Sequence, residues 1–208
     1  MRMDRLRRFR LCISVIPYKI GNMKILEINV FNYRKGGSEA VYFSTMELLK
    51  EHGDEVVNFT LKWAENEHSP QEGFFPESKV TRRGLLKPIK NIVNYFYDGE
   101  AARKLESLIE QEEPDIAQIH LIWGQITGSI LPVLRKHHIP VIFTIHEYRI
   151  VCPAYTFRNG KGEVCEKCQG KHFYKCITNK CCKGSYGLSA MMAAEQYFRN
   201  KFTNPAKY

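Results

Sequence analysis

The chain reads as an α/β protein built on a doubly wound parallel sheet, and three observations carry that reading. Short apolar runs alternate with longer segments of helical spacing, the connections between them are brief, and glycine or proline stands at most of the joints. Parallel strands buried on both faces are near-continuously apolar, unlike the in-out alternation of a half-exposed antiparallel strand.

The elements follow in order. Residues 24–30 (KILEINV) form a first strand, which ends in the glycine-containing loop NYRKGGSE. Ser38 is placed to cap the next helix, where Tyr42, Met46 and Leu49 fall at i, i+4 and i+7 and Gly53 supplies a stop. Residues 54–61 (DEVVNFTL) complete a βαβ unit. Residues 62–84 lack periodicity and contain Pro70, Gly73, Pro76 and Gly84, so they are expected to loop over a sheet edge. Residues 85–97 and 100–111 are two helices, or one broken at Asp98-Gly99. Residues 116–121 (IAQIHL) make a strand, 129–137 a helix with Pro132 in its first turn, and 140–145 (PVIFTI) a strand running into His146. Beyond a cysteine-rich stretch, 188–202 form a last helix.

At 208 residues the chain can bury a sizeable core as one domain, and no apolar run reaches the roughly 18 residues that a membrane-spanning helix needs. The net charge of +9 is unevenly placed: +5 in residues 1–22, −3 in 23–150 and +7 in 151–208. A nucleic-acid binder concentrates basic charge on its folded body, and this body is slightly acidic, so no nucleic-acid partner is expected. Residues 1–22 lack the apolar core and cleavage site of a secretory signal; they are expected to be a leader outside the fold, with Met23 as the working start. The domain then covers 23–202, including a cysteine-rich insertion at 152–184, with 203–208 as a tail.

Ligands of an open parallel sheet bind outside the carboxyl ends of its strands. Three features fall there. The stretch Lys35 to Glu39 brings Gly36, Gly37 and Ser38 to a helix N-terminus, which suits an anionic phosphate, although a two-glycine turn is also an ordinary turn. No GxGxxG fingerprint of a dinucleotide site is present. His120 and His146 each end a strand, and Glu147 follows the second; either imidazole can hydrogen-bond a sugar hydroxyl.

Taken in order, GGSE, L-x-x-x-G-x-E-V (49–56), E-P-D-I-x-x-x-H (113–120), I-P-V-I-F-T-I-H-E-Y (139–148) and Cys152-Pro153 resemble the N-terminal domain of family 4 glycosyltransferases with the GT-B fold, over residues 23–202. One departure is Glu147, where family members commonly have aspartate. The resemblance implies a Rossmann-like half that binds the acceptor and faces a second half holding a nucleotide sugar. It further implies that Gly36 and Gly37 approach the donor's phosphates and that His146 contacts the transferred sugar as the catalytic candidate; Ser38, His120 and Glu147, from their place at the same sheet edge, are expected to belong to the substrate site. Sugar transfer of this class needs no catalytic metal. The donor-binding half has no counterpart in these residues, so the chain is expected to be inactive alone, either a fragment or one partner of a two-chain enzyme acting on a glycan or lipid-linked acceptor. A cytoplasmic place is expected, with the basic C-terminal third near anionic headgroups at the inner membrane face.

Cys165-x2-Cys168 and Cys176-x4-Cys181 have the spacing of two ligand pairs for a structural, tetrahedral zinc, with Cys152 able to replace one of the second pair and His172 a further candidate. A lysine-rich loop poor in apolar residues gains folding energy from such a metal. Free thiols, or a disulfide or redox pair, are the rival readings. A non-enzymatic, zinc-stapled binding module is the alternative to the transferase.

Overall fold

The computed structural model describes residues 21–79 and 87–205. The expected leader therefore lies almost wholly outside the described residues, as do 80–84 of the long loop, 85–86 of the helix expected after it and 206–208 of the tail.

Four parallel strands, β1 (Lys24–Ile28), β2 (Glu55–Phe59), β3 (Ile116–Ile119) and β4 (Val141–Phe143), stand in the order β2-β1-β3-β4. The chain moves outward from β1 to β2, returns across β1 to β3, and continues outward to β4. Between β1 and β3 the winding reverses, which opens a crevice at the carboxyl edge. Each strand is shorter than its apolar run, although single hydrogen bonds continue the ladder: His120 N–H donates to the Ile28 carbonyl at 2.9 Å and Thr144 N–H to that of Ile119 at 2.8 Å.

Helices cover both faces. Leu26, Ile28, Val57, Phe59, Ala117 and Ile119 share one buried cluster with Leu105 and Leu108 of α3 (Gly99–Glu112) and Leu134 of α4 (Leu131–Lys136). On the other face Tyr42, Phe43 and Met46 of α1 (Gly37–His52) pack with Val56. Helix α1 begins two residues earlier than a Ser38 cap requires: Gly36 is the N-cap, and Ser38 sits inside the first turn. Its stop is as expected, since Gly53 adopts φ 96°, a conformation costly for any residue with a Cβ.

The described part of the 62–84 loop lies along β2, the sheet edge. Phe75 is buried edge-on to Phe59 at 6.5 Å, and Lys62 bridges Glu77 in parallel. Two separate helices follow, α2 (Lys87–Phe96) and α3, because the Asp98 carboxylate accepts from the N–H groups of Glu100 and Ala101 and starts a new helix there.

Residues 152–185 form a small lobe with one short helix, α5 (Tyr174–Thr178), packed on α6 (Tyr186–Phe202). Ser185 caps α6 through the Leu188 N–H, so this helix starts two residues earlier than its apolar pattern indicates. Thr203, past the end of α6, is still buried, and a Cβ on Gly128 would stand 2.6 Å from its hydroxyl. Within the lobe Gly160 donates to the Asn179 carbonyl at 2.9 Å, and an added Cβ would meet the carbonyl oxygens of Asn179 and Lys180 at 2.6 Å each. These are backbone atoms with no freedom to swing aside. Gly160→Ala is therefore expected to cost about 2 kcal/mol, read as a lower urea midpoint at unchanged slope.

Candidate active site

The polar floor of the crevice is set by strand register. On the face toward α1, Ile25, Val56 and Ile116 are succeeded two residues later by Glu27, Asn58 and Gln118, which stand opposite one another across β1, β2 and β3. An apolar row thus gives way to a polar row as the strands approach their carboxyl ends.

Glu27 and His120 are both wholly buried, and the Glu27 Oε2 lies 3.0 Å from His120 Nε2. His120 Nδ1 lies 3.1 Å from His146 Nε2, with the two rings stacked at 5.3 Å and 21°. Tyr42 meets the His120 ring edge-on at 5.5 Å and holds its orientation from the α1 side. The result is a hydrogen-bonded chain across the switch point, from buried Glu27 on β1, through His120 after β3, to half-exposed His146 after β4.

The chain has a direction. An ionised Glu27 can only accept, so His120 carries its proton on Nε2 and offers a bare Nδ1. His146 must then donate from Nε2, which leaves its own Nδ1 as an acceptor. Burial and the neighbouring His120 hold the His146 pKa below the usual imidazole range, with Glu39 pulling the other way. Burial pushes the Glu27 carboxyl above its usual range, and the His120 hydrogen bond offsets part of this. Its second oxygen, Oε1, is buried without a hydrogen-bond partner.

The loop after β1 forms the adjoining wall. Gly36 and Gly37 are exposed, and no side chain caps the first turn of α1. Beneath them Glu39 is buried, accepting from Ser38 Oγ at 2.9 Å, and a Cβ on Gly36 would stand 3.4 Å from its Oε2. Its carboxylate sits in the first turn of α1, where the helix dipole favours negative charge.

Glu147 faces a different set of charges. Burial raises its carboxyl pKa and the cations Arg149 and Arg199 lower it. Arg199, buried on α6, stacks over Trp123 at 4.2 Å and donates to the Arg149 carbonyl and to the Gln196 side chain; Gln196 donates to the Ile150 carbonyl at 2.7 Å. Desolvation lowers the Arg199 pKa to about 10. This cluster anchors the Arg149 and Ile150 carbonyls to α6, just beyond the backbone that carries His146.

Of the residues singled out in sequence, His120 and His146 come together directly, and Gly36, Gly37 and Ser38 border the same edge. Glu147 follows His146 at this edge, half-buried and in the field of Arg149 and Arg199. Cys165, Cys168, Cys176 and Cys181 line a separate cavity with Cys152, whereas His172 is exposed and outside it. Sequence reading missed Glu27, Glu39, Arg149 and Arg199. An acidic residue inside the apolar run KILEINV was the available signal for Glu27, since such a residue survives burial only with a partner.

A family model described as Glycosyltransferase Family 4 matches residues 35–162, more than half of the chain. No curated protein and no solved structure matches. The matched span runs from the loop after β1, through His120 and His146, into the lobe; together with the parallel sheet and its crevice it places this chain in glycosyltransferase family 4.

Proposed function

We propose that this chain supplies the acceptor-side half of a transferase that moves a hexosyl group from a nucleotide sugar to a glycan or lipid-linked acceptor, such as a growing surface polysaccharide. The observation that carries the reading is the Glu27–His120–His146 chain, which delivers a neutral imidazole to the sheet edge beside the exposed Gly36-Gly37 backbone.

In this reading His146 Nδ1 accepts a hydrogen bond from a hydroxyl of the transferred sugar. His120 and Glu27 hold the imidazole in that tautomer. The free N–H groups at the start of α1 and the cationic Lys35 face the donor's diphosphate, so charge developing on the leaving group is met by fixed dipoles and without a catalytic metal. A donor-binding half facing this edge, in the same or a separate polypeptide, completes the site. Exposed Lys167, Lys171, Lys180 and Lys183 suit an approach to anionic headgroups or a phosphorylated carrier at the cytoplasmic face of a membrane. No helix among the described residues is long and apolar enough to cross one.

The test is transfer from a panel of nucleotide sugars to lipid-linked acceptors in anionic vesicles, with the donor-binding half added where it is a separate chain. Acceptor-dependent product is expected with at least one donor. Absence of product together with absence of nucleotide-sugar binding would count against the reading.

A further inference from the structure

Five thiols brought from four segments converge on one cavity of 530 Å³. Cys152 follows β4, Cys165 and Cys168 come from the loop, Cys176 from α5, and Cys181 from the turn before α6. The sixth thiol among the described residues, Cys182, does not line it. Its Sγ lies 3.9 Å from Cys176 Sγ, its N–H donates to Ser189 Oγ at 3.0 Å, and both cysteines are buried with Phe173, Met192 and Ala193.

We infer that this cavity is a structural zinc site whose ligands are Cys152, Cys165, Cys168 and Cys181, with Cys176 and Cys182 serving as an apolar pair behind it. This ligand set differs at one position from that suggested by spacing alone: Cys152, distant in sequence, takes the place of Cys176.

Three observations support it. First, Cys176 is buried with its Sγ 3.9 Å from that of Cys182, away from solvent, whereas Cys165, Cys168 and Cys181 are only half-buried. Second, Cys152, Cys165, Cys168 and Cys181 reach the same cavity from three separate stretches of chain, so one tetrahedral ion there would tie together the segment after β4, the loop and the turn before α6. A divalent cation is what allows such a group of thiols to ionise together, displacing four protons with no change of oxidation state. Arg158 and Lys171, which also line the cavity, offset the net negative charge of a zinc tetrathiolate.

Third, the lobe needs a cross-link. Residues 153–173 contain no strand, and the one bridge there joins Arg158 to Val164. Tyr155, Phe157, Lys171, Lys180 and Lys183, none of them glycine, hold positive φ. A segment with this much unfavourable backbone and so little ladder persists when something else over-determines it. In this structure no three cysteine sulfurs among the described residues lie within 4.8 Å of one another, so the half-buried side chains close the remaining gap by rotation.

The experiment uses the full chain purified under reducing, chelator-free conditions. About one zinc per chain is expected, and cobalt(II) in its place should give thiolate charge-transfer absorption with tetrahedral ligand-field bands. Cys152→Ser and Cys165→Ser should lose stoichiometric metal, while Cys176→Ser and Cys182→Ser retain it. Because a ligand variant can misfold, alkylation of the unaltered protein gives a second readout: zinc should protect Cys152, Cys165, Cys168 and Cys181, and a chelator should expose them. Metal well below one equivalent, an intramolecular disulfide among these cysteines, or loss of zinc in Cys176→Ser but not in Cys152→Ser would each overturn the assignment.

Discussion

Glu27→Leu is expected to lower the unfolding free energy by about 3 kcal/mol, because it leaves the fully buried His120 Nε2 with no partner. The loss belongs to the orphaned group, not to the carboxylate's own worth. Glu27 itself pays a desolvation cost, seen in its raised pKa and in the unpartnered Oε1. Removing both polar groups should therefore restore most of the stability, and Glu27→Leu with His120→Leu is expected to be closer to the unaltered protein than the single change is. Urea unfolding of the four members of this cycle measures the coupling.

The pH dependence of the same pair has a definite sign. A carboxyl with a raised folded-state pKa contributes stability that is full below its ordinary value of 4.5 and is lost as pH rises through the folded value. The stability of the unaltered protein relative to Glu27→Gln, which cannot titrate, should shrink across that window. A difference that grows with pH would mean that the His120 contact, not burial, dominates.

His146→Ala is expected to reduce acceptor-dependent sugar transfer by on the order of 100-fold, the loss that follows when one group that positions the transferred sugar is removed. Its effect on stability should be small, within about 1 kcal/mol, since the side chain is only half-buried. His146→Gln, which keeps an acceptor on a side chain of similar reach, should recover part of the rate. The His146 pKa is lowered, so the neutral form prevails at neutral pH and the rate should rise with pH through that lowered value and then level off. Loss of this acidic limb in His146→Gln separates a role in the chemistry from a role in folding.

Much of this architecture was legible in the chain itself. Apolar runs located all four strands, Gly53 marked a helix end, and the alternation of elements implied parallel pairing; Asp98-Gly99 marked a break, and its cap shows that two helices meet there. Strand ends were less legible: residues 144–145 continue the expected strand, yet past the single Thr144 hydrogen bond the chain leaves the sheet and carries His146 to the edge. Helix starts were decided by which residue lay outside the helix, as with Gly36 in place of Ser38. Glu27 was invisible as a site residue because its meaning depends on register. Only when β3 pairs with β1 does His120 come within 3.0 Å of it, from 93 positions away. The cysteines show the same limit, since the contribution of Cys152 arises from the path of the backbone after β4 and not from local spacing.

The chain of hydrogen bonds can be observed directly through the imidazole nitrogens of ¹⁵N-histidine-labelled full-length protein, with Glu27→Gln as control. The arrangement predicts His120 protonated on Nε2 and bare on Nδ1, and His146 protonated on Nε2, neutral at pH 7 and titrating below the usual imidazole range. A His120 that carries its proton on Nδ1, or a His146 that titrates near 6.5 like a free imidazole, would contradict it.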